Sequence, residues 1–221
     1  MNSPRIIFMG TPEFALPTLE RLVEEYSVVG VVTQRGVGEV KESHITDQVA
    51  QMEAMIEEES DIVQVIDPDD PLFYNPASMK EAFNAFFQKT GQILPDTFSD
   101  YIRCAYDSLC FSFRFHVEEL ERLSGKGIEI LHLVGGGSQS DYLNQRIATI
   151  CGRKVISGPV EGATLGNILV QALAMGRISS LQEGRELVKR SYPGKTYFPE
   201  EVPDGTEKRY KQFLGLKDIQ S

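Results

Sequence analysis

Residues 131 to 137 read Leu-His-Leu-Val-Gly-Gly-Gly, so an apolar, β-type run passes straight into three glycines. Ser138, Gln139 and Ser140 follow, and a helix-like pattern begins at Asp141. Glycine lets backbone N–H groups approach a ligand closely and tolerates φ values that other residues avoid. A strand, a glycine turn and a helix in that order can cradle a nucleotide. The same order also occurs where a helix packs tightly on a strand. No GxxxxGK[ST] follows, so the run is not a P-loop. GxGxxG is incomplete, because Ser140 stands where its last glycine belongs. Glu161 lies at a tolerable distance for a ribose-binding acid, which keeps a Rossmann-type dinucleotide binder open as an alternative.

The pattern on both sides of this junction predicts an α/β chain. Ile6 to Met9 and Val28 to Val32 read as strands, joined by a helical spacing of Phe14, Leu16, Leu19, Leu22 and Val23. The connection rule makes those strands parallel. Arg35 to Gly38 looks like a junction. Ile45, Val49, Met52 and Ile56 then mark one helical stripe. Asn75-Pro76 predicts the start of a helix whose apolar face is Met79, Ala82, Phe83, Phe86 and Phe87. Asp96 is expected to cap a long helix with Ile102, Tyr106, Leu109, Phe113, Val117 and Leu120 inward and Gly125 as its stop. Strand Ile128 to Val134, helix Asp141 to Cys151, strand Lys154 to Ile156 and helix Ala163 to Met175 complete the alternation. Ser180-Leu181-Gln182-Glu183 reads as a capping box. The stretch after Pro199 reads as a polar, peripheral tail.

Charge and cysteines narrow the function classes. Residues 39 to 70 hold eleven acids against one base, which accounts for the whole net charge of −10. The acidic segment reads as a solvated helix face and a turn. A basic nucleic-acid footprint is absent, and no apolar run approaches the ~20 residues that span a bilayer. Neither nucleic acid nor membrane is expected as a partner, and without a signal-peptide core the expected location is cytoplasmic. Three cysteines without CxxC spacing predict buried apolar side chains rather than a disulfide framework or zinc site. His44, His116 and His132 stand beside no nucleophile motif. Asp69-Asp70 fits turn-making. Ala163, Gly166, Ala172 and Ala174 read as small residues that let a helix lie close to the sheet.

Two resemblances follow from specific runs. Residues 5 to 34, with Phe8-Met9-Gly10-Thr11-Pro12-Glu13-Phe14-Ala15, resemble the opening of the methionyl-tRNA formyltransferases. That resemblance stops at Gln34. The folate loop and the Asn–His–Asp set of that family do not follow, so formyl transfer is not implied.

Residues 42 to 199 resemble the C-terminal part of the FGGY carbohydrate kinases, in their rhamnulokinase branch. The runs that carry this are Ile66-Asp67-Pro68-Asp69-Asp70-Pro71, Leu131 to Gln139, Gly158-Pro159-Val160-Glu161, Leu165-Gly166-Asn167 and Thr196-Tyr197-Phe198-Pro199. The resemblance implies an incomplete ribonuclease-H-like, actin-like ATPase C-terminal domain. The chain then divides into a βαβ fragment at 1–34, a junction at 35–44, the kinase domain at 45–200 and a polar tail at 201–221.

The implied cofactor is ATP or ADP, with Mg accompanying the nucleotide and no protein ligand for it identified. The implied binding residues are Gly135, Gly136, Gly137, Ser138 and Ser140. In that family the middle glycine, here Gly136, contacts the nucleotide. Ser140 holds a position that often carries an Asn touching the base. No catalytic residue is assigned, because the family's aspartate and phosphate turn precede the matched region. Loss of a general base alone costs about 10²–10⁴-fold. The expectation is a truncated kinase of rhamnose metabolism, inactive alone, whose partners are an adenine nucleotide and either a sugar-binding kinase domain or a second copy. A non-catalytic remnant or chimera is the other reading left open.

Overall fold

The computed structural model describes residues 5–9, 27–32, 50–57 and 62–218. Strand β1 (Arg5–Met9) pairs in parallel with β2 (Ser27–Val32), Arg5 opposite Ser27 and Met9 opposite Val32. The helix expected between them, the 35–38 junction and His44 lie outside the described residues. Next come α1 (Met79–Lys89), α2 (Phe98–Ser124), β3 (Ile130–Leu133), α3 (Asp141–Cys151) and β4 (Lys154–Ser157). The chain continues through α4 (Gly162–Ala174), α5 (Leu181–Ser191), β5 (Thr196–Tyr197) and α6 (Thr206–Asp218).

The chain divides into two compact units that do not follow chain order. One holds residues 1–42, 134–139 and 158–195, the other 43–133, 140–157 and 196–221. In the first, α4 begins at Gly162, where an added Cβ would stand 3.1 Å from the Cβ of Val134. The close approach expected of small residues therefore falls on Gly162, whereas Gly166 faces open space. Helix α5 meets α4 at Gly184, whose Cβ would lie 3.2 Å from Leu169. The hydroxyl of Ser180 accepts from the Glu183 N–H at 3.1 Å, but the Glu183 carboxylate reaches Ser179 instead of closing the box on Ser180.

The second unit carries the apolar core. Its sheet runs β3-β4-β5, with β3 parallel and β5 antiparallel to β4. Phe86 and Phe87 of α1, Phe111 of α2, Ile147 of α3, Val155 of β4 and Phe213 of α6 are fully buried within one cluster. Each such side chain contributes roughly 1.5–3 kcal/mol relative to exposure. Cys104, Cys110 and Cys151 are buried and unpaired, and burial pushes the thiols of Cys104 and Cys151 up to about 12, which keeps them inert.

Several local expectations shift by a few residues. Helix α1 starts after Ser78, whose hydroxyl accepts from Glu81 N–H, while Asn75 sits at φ 54° in a left-handed turn. Helix α2 is capped by Thr97 rather than Asp96. The Thr97 hydroxyl accepts from the Asp100 N–H and the Asp100 carboxylate accepts from the Thr97 N–H, a full capping box in which the pair satisfies two backbone donors. Gly125 ends α2 in the left-handed region, as expected. The buried stripe of α2 runs through Tyr101, Cys104, Asp107, Ser108 and Phe111, whereas Leu109, Phe113 and Leu120 of the expected inner face are exposed. The periodicity misleads because two polar residues, Asp107 and Ser108, occupy the inward face.

The largest correction concerns residues 201–221. Instead of a peripheral polar tail, residues 206–218 form α6, which buries Arg209, Tyr210, Phe213 and Leu216. The guanidinium of Arg209 pairs with Asp107 and donates to the Gln64 carbonyl at 3.1 Å. Asp107 also receives Arg146 of α3. Burial pushes the Asp107 carboxyl up, but the hydrogen bonds and charges of Arg146 and Arg209 outweigh it and hold it below the usual range. Lys217 reaches Asp67 at 2.6 Å and Asp69 at 2.7 Å, so the charges that make this segment look soluble are those that fasten it.

Candidate functional site

The strand-to-glycine junction forms as the sequence predicts, and each of the five expected residues has a distinct place. Gly135 sits at φ 90°, a conformation costly to any residue with a Cβ. Its N–H donates to the Pro159 carbonyl at 3.2 Å. Gly136, Gly137, Ser138 and Gln139 then make one 3₁₀ turn. Gly136 has ordinary φ, and among the described residues a Cβ built on it would meet no atom within 4 Å. Among the described residues nothing demands glycine at 136, and the turn is open to them on that side. Gly137 is exposed in the same turn.

Ser138 faces inward. Its buried hydroxyl lies 2.8 Å from the Gly135 carbonyl and 3.1 Å from that of Gly158, and its N–H donates to Gly135 O at 3.0 Å. It holds the shape of the turn from beneath. Replacing Gly135 by alanine is therefore expected to cost about 1–2 kcal/mol of unfolding free energy, read in urea. A Gly136→Ala change is expected to leave the unfolding midpoint in place.

Ser140 belongs to the other unit and is the N-cap of α3. Its hydroxyl accepts from the Leu143 N–H at 2.9 Å and donates to Glu53. Glu53 also accepts from the Tyr106 hydroxyl at 3.2 Å, and burial and the Glu53 charge raise the Tyr106 phenol well above its ordinary value. The link to Glu53 was not legible in the sequence, since 87 residues separate it from Ser140. It also sets a carboxylate where a Rossmann-type site would place its pyrophosphate. A pyrophosphate needs an open helix N-terminus, and here the first turn of α3 is capped with a carboxylate beside the cap.

Other candidates settle as ordinary structure. His132 is exposed on β3, and His116 bonds to the Ser112 carbonyl within its own helix at 2.7 Å. Asp67 and Asp70 shape the turn before α1, Asp70 accepting from the Leu72 N–H at 2.9 Å. An open groove lined by Glu121, Ile128, Glu129, Arg153 and Lys154 includes none of the glycine-turn residues. No helix among the described residues is long and apolar enough to cross a membrane.

What this arrangement offers is a main-chain wall at residues 135–137, exposed at 136 and 137 and shaped from beneath by Ser138. The chain matches the FGGY family of carbohydrate kinases, C-terminal domain, over residues 10–175. That span includes residues 10–34, which the other resemblance assigned to a formyltransferase. The chain is 40% identical over 138 residues to a rhamnulokinase of Bacteroides thetaiotaomicron, covering 62% of this chain and 28% of that protein. A rhamnulokinase of Mannheimia succiniciproducens is 38% identical over 156 residues, 71% of this chain and 32% of that protein.

The chain thus spans about three-tenths of the length of these relatives. In fold it is similar to a xylulose kinase from Rhodospirillum rubrum, with a TM-score of 0.57 and 20% identity, covering 82% of this chain and 35% of the other. It is also similar to a Plasmodium falciparum glycerol kinase solved with ADP, at TM-score 0.54 and 14% identity, covering 93% of this chain and 37% of the other. These likenesses show the expected α/β, actin-like fold in partial form. The glycine turn therefore sits in a member of the FGGY family of carbohydrate kinases, and the chain belongs to that family through its C-terminal domain.

Proposed function

We propose that this chain is the adenosine-holding part of a rhamnulokinase-like, ATP-dependent sugar kinase. ATP or ADP rests against the main chain of Gly135, Gly136 and Gly137, and the chain does not turn over by itself. The observation that carries the reading is Gly136, which among the described residues has open space where a side chain would stand and no structural need to be glycine. Ser138 keeps the turn in shape, and Ser140, engaged with Glu53, serves as a helix cap. Phosphoryl transfer needs metal-bridged phosphates and a group positioning the attacking hydroxyl. The kinase resemblance puts those parts outside the span matched here, so no residue of this chain is given a catalytic role. L-rhamnulose as the acceptor and a cytoplasmic setting belong to the same proposal.

Isothermal titration tests it. The chain is expected to bind ADP weakly, in the millimolar range, because a single wall buries little of the ligand. A Gly136→Val chain is expected to lose at least tenfold in affinity with an unchanged urea midpoint. Absence of ADP binding at millimolar concentration, or equal binding by the valine variant, overturns the reading.

A further inference from the structure

One acidic step lies outside both the glycine turn and the core: Asp204 precedes Gly205, the only Asp-Gly or Asn-Gly pair in the sequence. Both residues are exposed, in the turn that leads into α6. Residues 203 to 206 close that turn, the Thr206 N–H donating to the Pro203 carbonyl at 3.2 Å. Gly205 has φ 77°, the value of the third residue of a type II turn. Among the described residues, neither the Asp204 carboxylate nor the Gly205 N–H has a partner.

A type II turn becomes type I when the peptide between its two central residues swivels, with the first-to-fourth hydrogen bond kept. That peptide is here the link from Asp204 to Gly205. Glycine permits φ of either sign, and among the described residues a Cβ at 205 would meet nothing within 4 Å. The swivel costs the Gly205 N–H no hydrogen bond. The Gly205 nitrogen is therefore able to turn onto the Asp204 carboxyl carbon while the Thr206–Pro203 bond holds. Asp107-Ser108, another aspartate with a small follower, is fixed by contrast inside α2, its buried carboxylate bound by Arg146 and Arg209.

We infer that Asp204 is a site of spontaneous rearrangement to isoaspartate, and that the rearranged turn is a substrate for an S-adenosylmethionine-dependent carboxyl methyltransferase. The Gly205 nitrogen bonds to Cγ of Asp204, and one carboxyl oxygen departs as water with the amide proton and a proton from solvent. The five-membered imide then takes up water at the former main-chain carbonyl of Asp204. The bond from that carbon to the Gly205 nitrogen breaks, and a proton returns to solvent. The chain now runs through Cγ, one methylene longer, with a carboxylate left on Cα. Mass and oxidation state are unchanged. Methylation breaks the methyl–sulfur bond of S-adenosylmethionine and forms an ester on that exposed carboxylate.

Peptide mapping of the aged protein tests this. The full chain is kept in neutral buffer at physiological temperature for several weeks and digested with trypsin beside a fresh sample. Cleavage after Lys195 and Lys208 releases residues 196–208, in which Asp204 is the only aspartate. The aged chain is expected to give a second peptide of identical mass and different retention, which takes a labelled methyl group from S-adenosylmethionine with an isoaspartyl carboxyl methyltransferase. Residues 104–114, which carry Asp107, are expected to stay a single peptide. Rearrangement in the folded chain is expected within tenfold of the rate in a synthetic 196–208 peptide, because the fold leaves this turn able to swivel. Asp204→Glu changes an exposed, unpaired carboxylate, so that chain is expected to keep its urea midpoint and give one peptide. A single 196–208 peptide after ageing, a folded chain more than tenfold slower than the synthetic peptide, or a second peptide persisting in Asp204→Glu each overturns the assignment.

Discussion

An Asp107→Ala chain is expected to lose about 3–5 kcal/mol of unfolding free energy, measured in urea. Asp107 is fully buried on α2 and binds the guanidiniums of Arg146 from α3 and Arg209 from α6. Arg103, one turn away on α2, adds a third cation at 3.9 Å. Removing the carboxylate leaves buried positive charge without its counter-ion, which costs far more than losing an exposed pair. Arg122→Ala, which breaks the exposed Arg122–Glu119 pair, is the control and is expected to leave the urea midpoint essentially unchanged. If Asp107→Ala matches that control, the buried cluster is not the tie between α2, α3 and α6.

The same group gives a pH dependence with a definite sign. The folded carboxyl lies below its ordinary value of 3.8, with the charges of Arg146 and Arg209 overcoming the opposite effect of burial. Its contribution is therefore complete above 3.8 and drains away as pH falls through the lower, folded value. Stability of the native chain and of Asp107→Ala should converge on the acid side of that value. Constant separation of the two curves into strong acid contradicts the assignment.

A Phe213→Ala chain is expected to lose about 3–5 kcal/mol, and deletion of residues 201–221 to abolish cooperative unfolding. Phe213 is fully buried, 6.0 Å ring to ring from Phe111 and stacked on Tyr210 at 6.3 Å. Deletion also strips Asp67, itself fully buried, of Lys217. Near-ultraviolet circular dichroism, which reports fixed aromatic packing, should collapse in the deleted chain. Lys211→Ala, on the exposed side of the same helix, should be neutral. A deleted chain that unfolds cooperatively at the native midpoint restores the view of this segment as peripheral.

Both predictions sit where reading the sequence went astray, and for one reason. Residues 206–218 carry apolar residues at helical spacing, Tyr210, Phe213 and Leu216, among lysines and an arginine. Charge makes such a segment look solvated unless the partners are known. Those partners, Asp107 and Asp67, lie more than a hundred residues earlier. Helix α2 shows the converse. Leu109, Phe113 and Leu120 look like a core face, yet the inward stripe includes Asp107 and Ser108, because a buried carboxylate is tolerated inside once two arginines pair with it.

Local chemistry was enough for the elements and for the turn. The run Leu131 to Gly137, the left-handed Gly125, the span Asp141–Cys151 and the glycine at 152 each follow from the conformations those residues permit, within one turn of chain. Specific motifs likewise sufficed for the family. What only the tertiary structure decided is which polar groups turn inward: Ser138 beneath the glycines, Ser140 on Glu53, Arg209 on Asp107. The physical reason is reach. Backbone preference acts over a few residues and is written in them, whereas the worth of a buried charge or hydroxyl depends on a partner that only folding brings alongside.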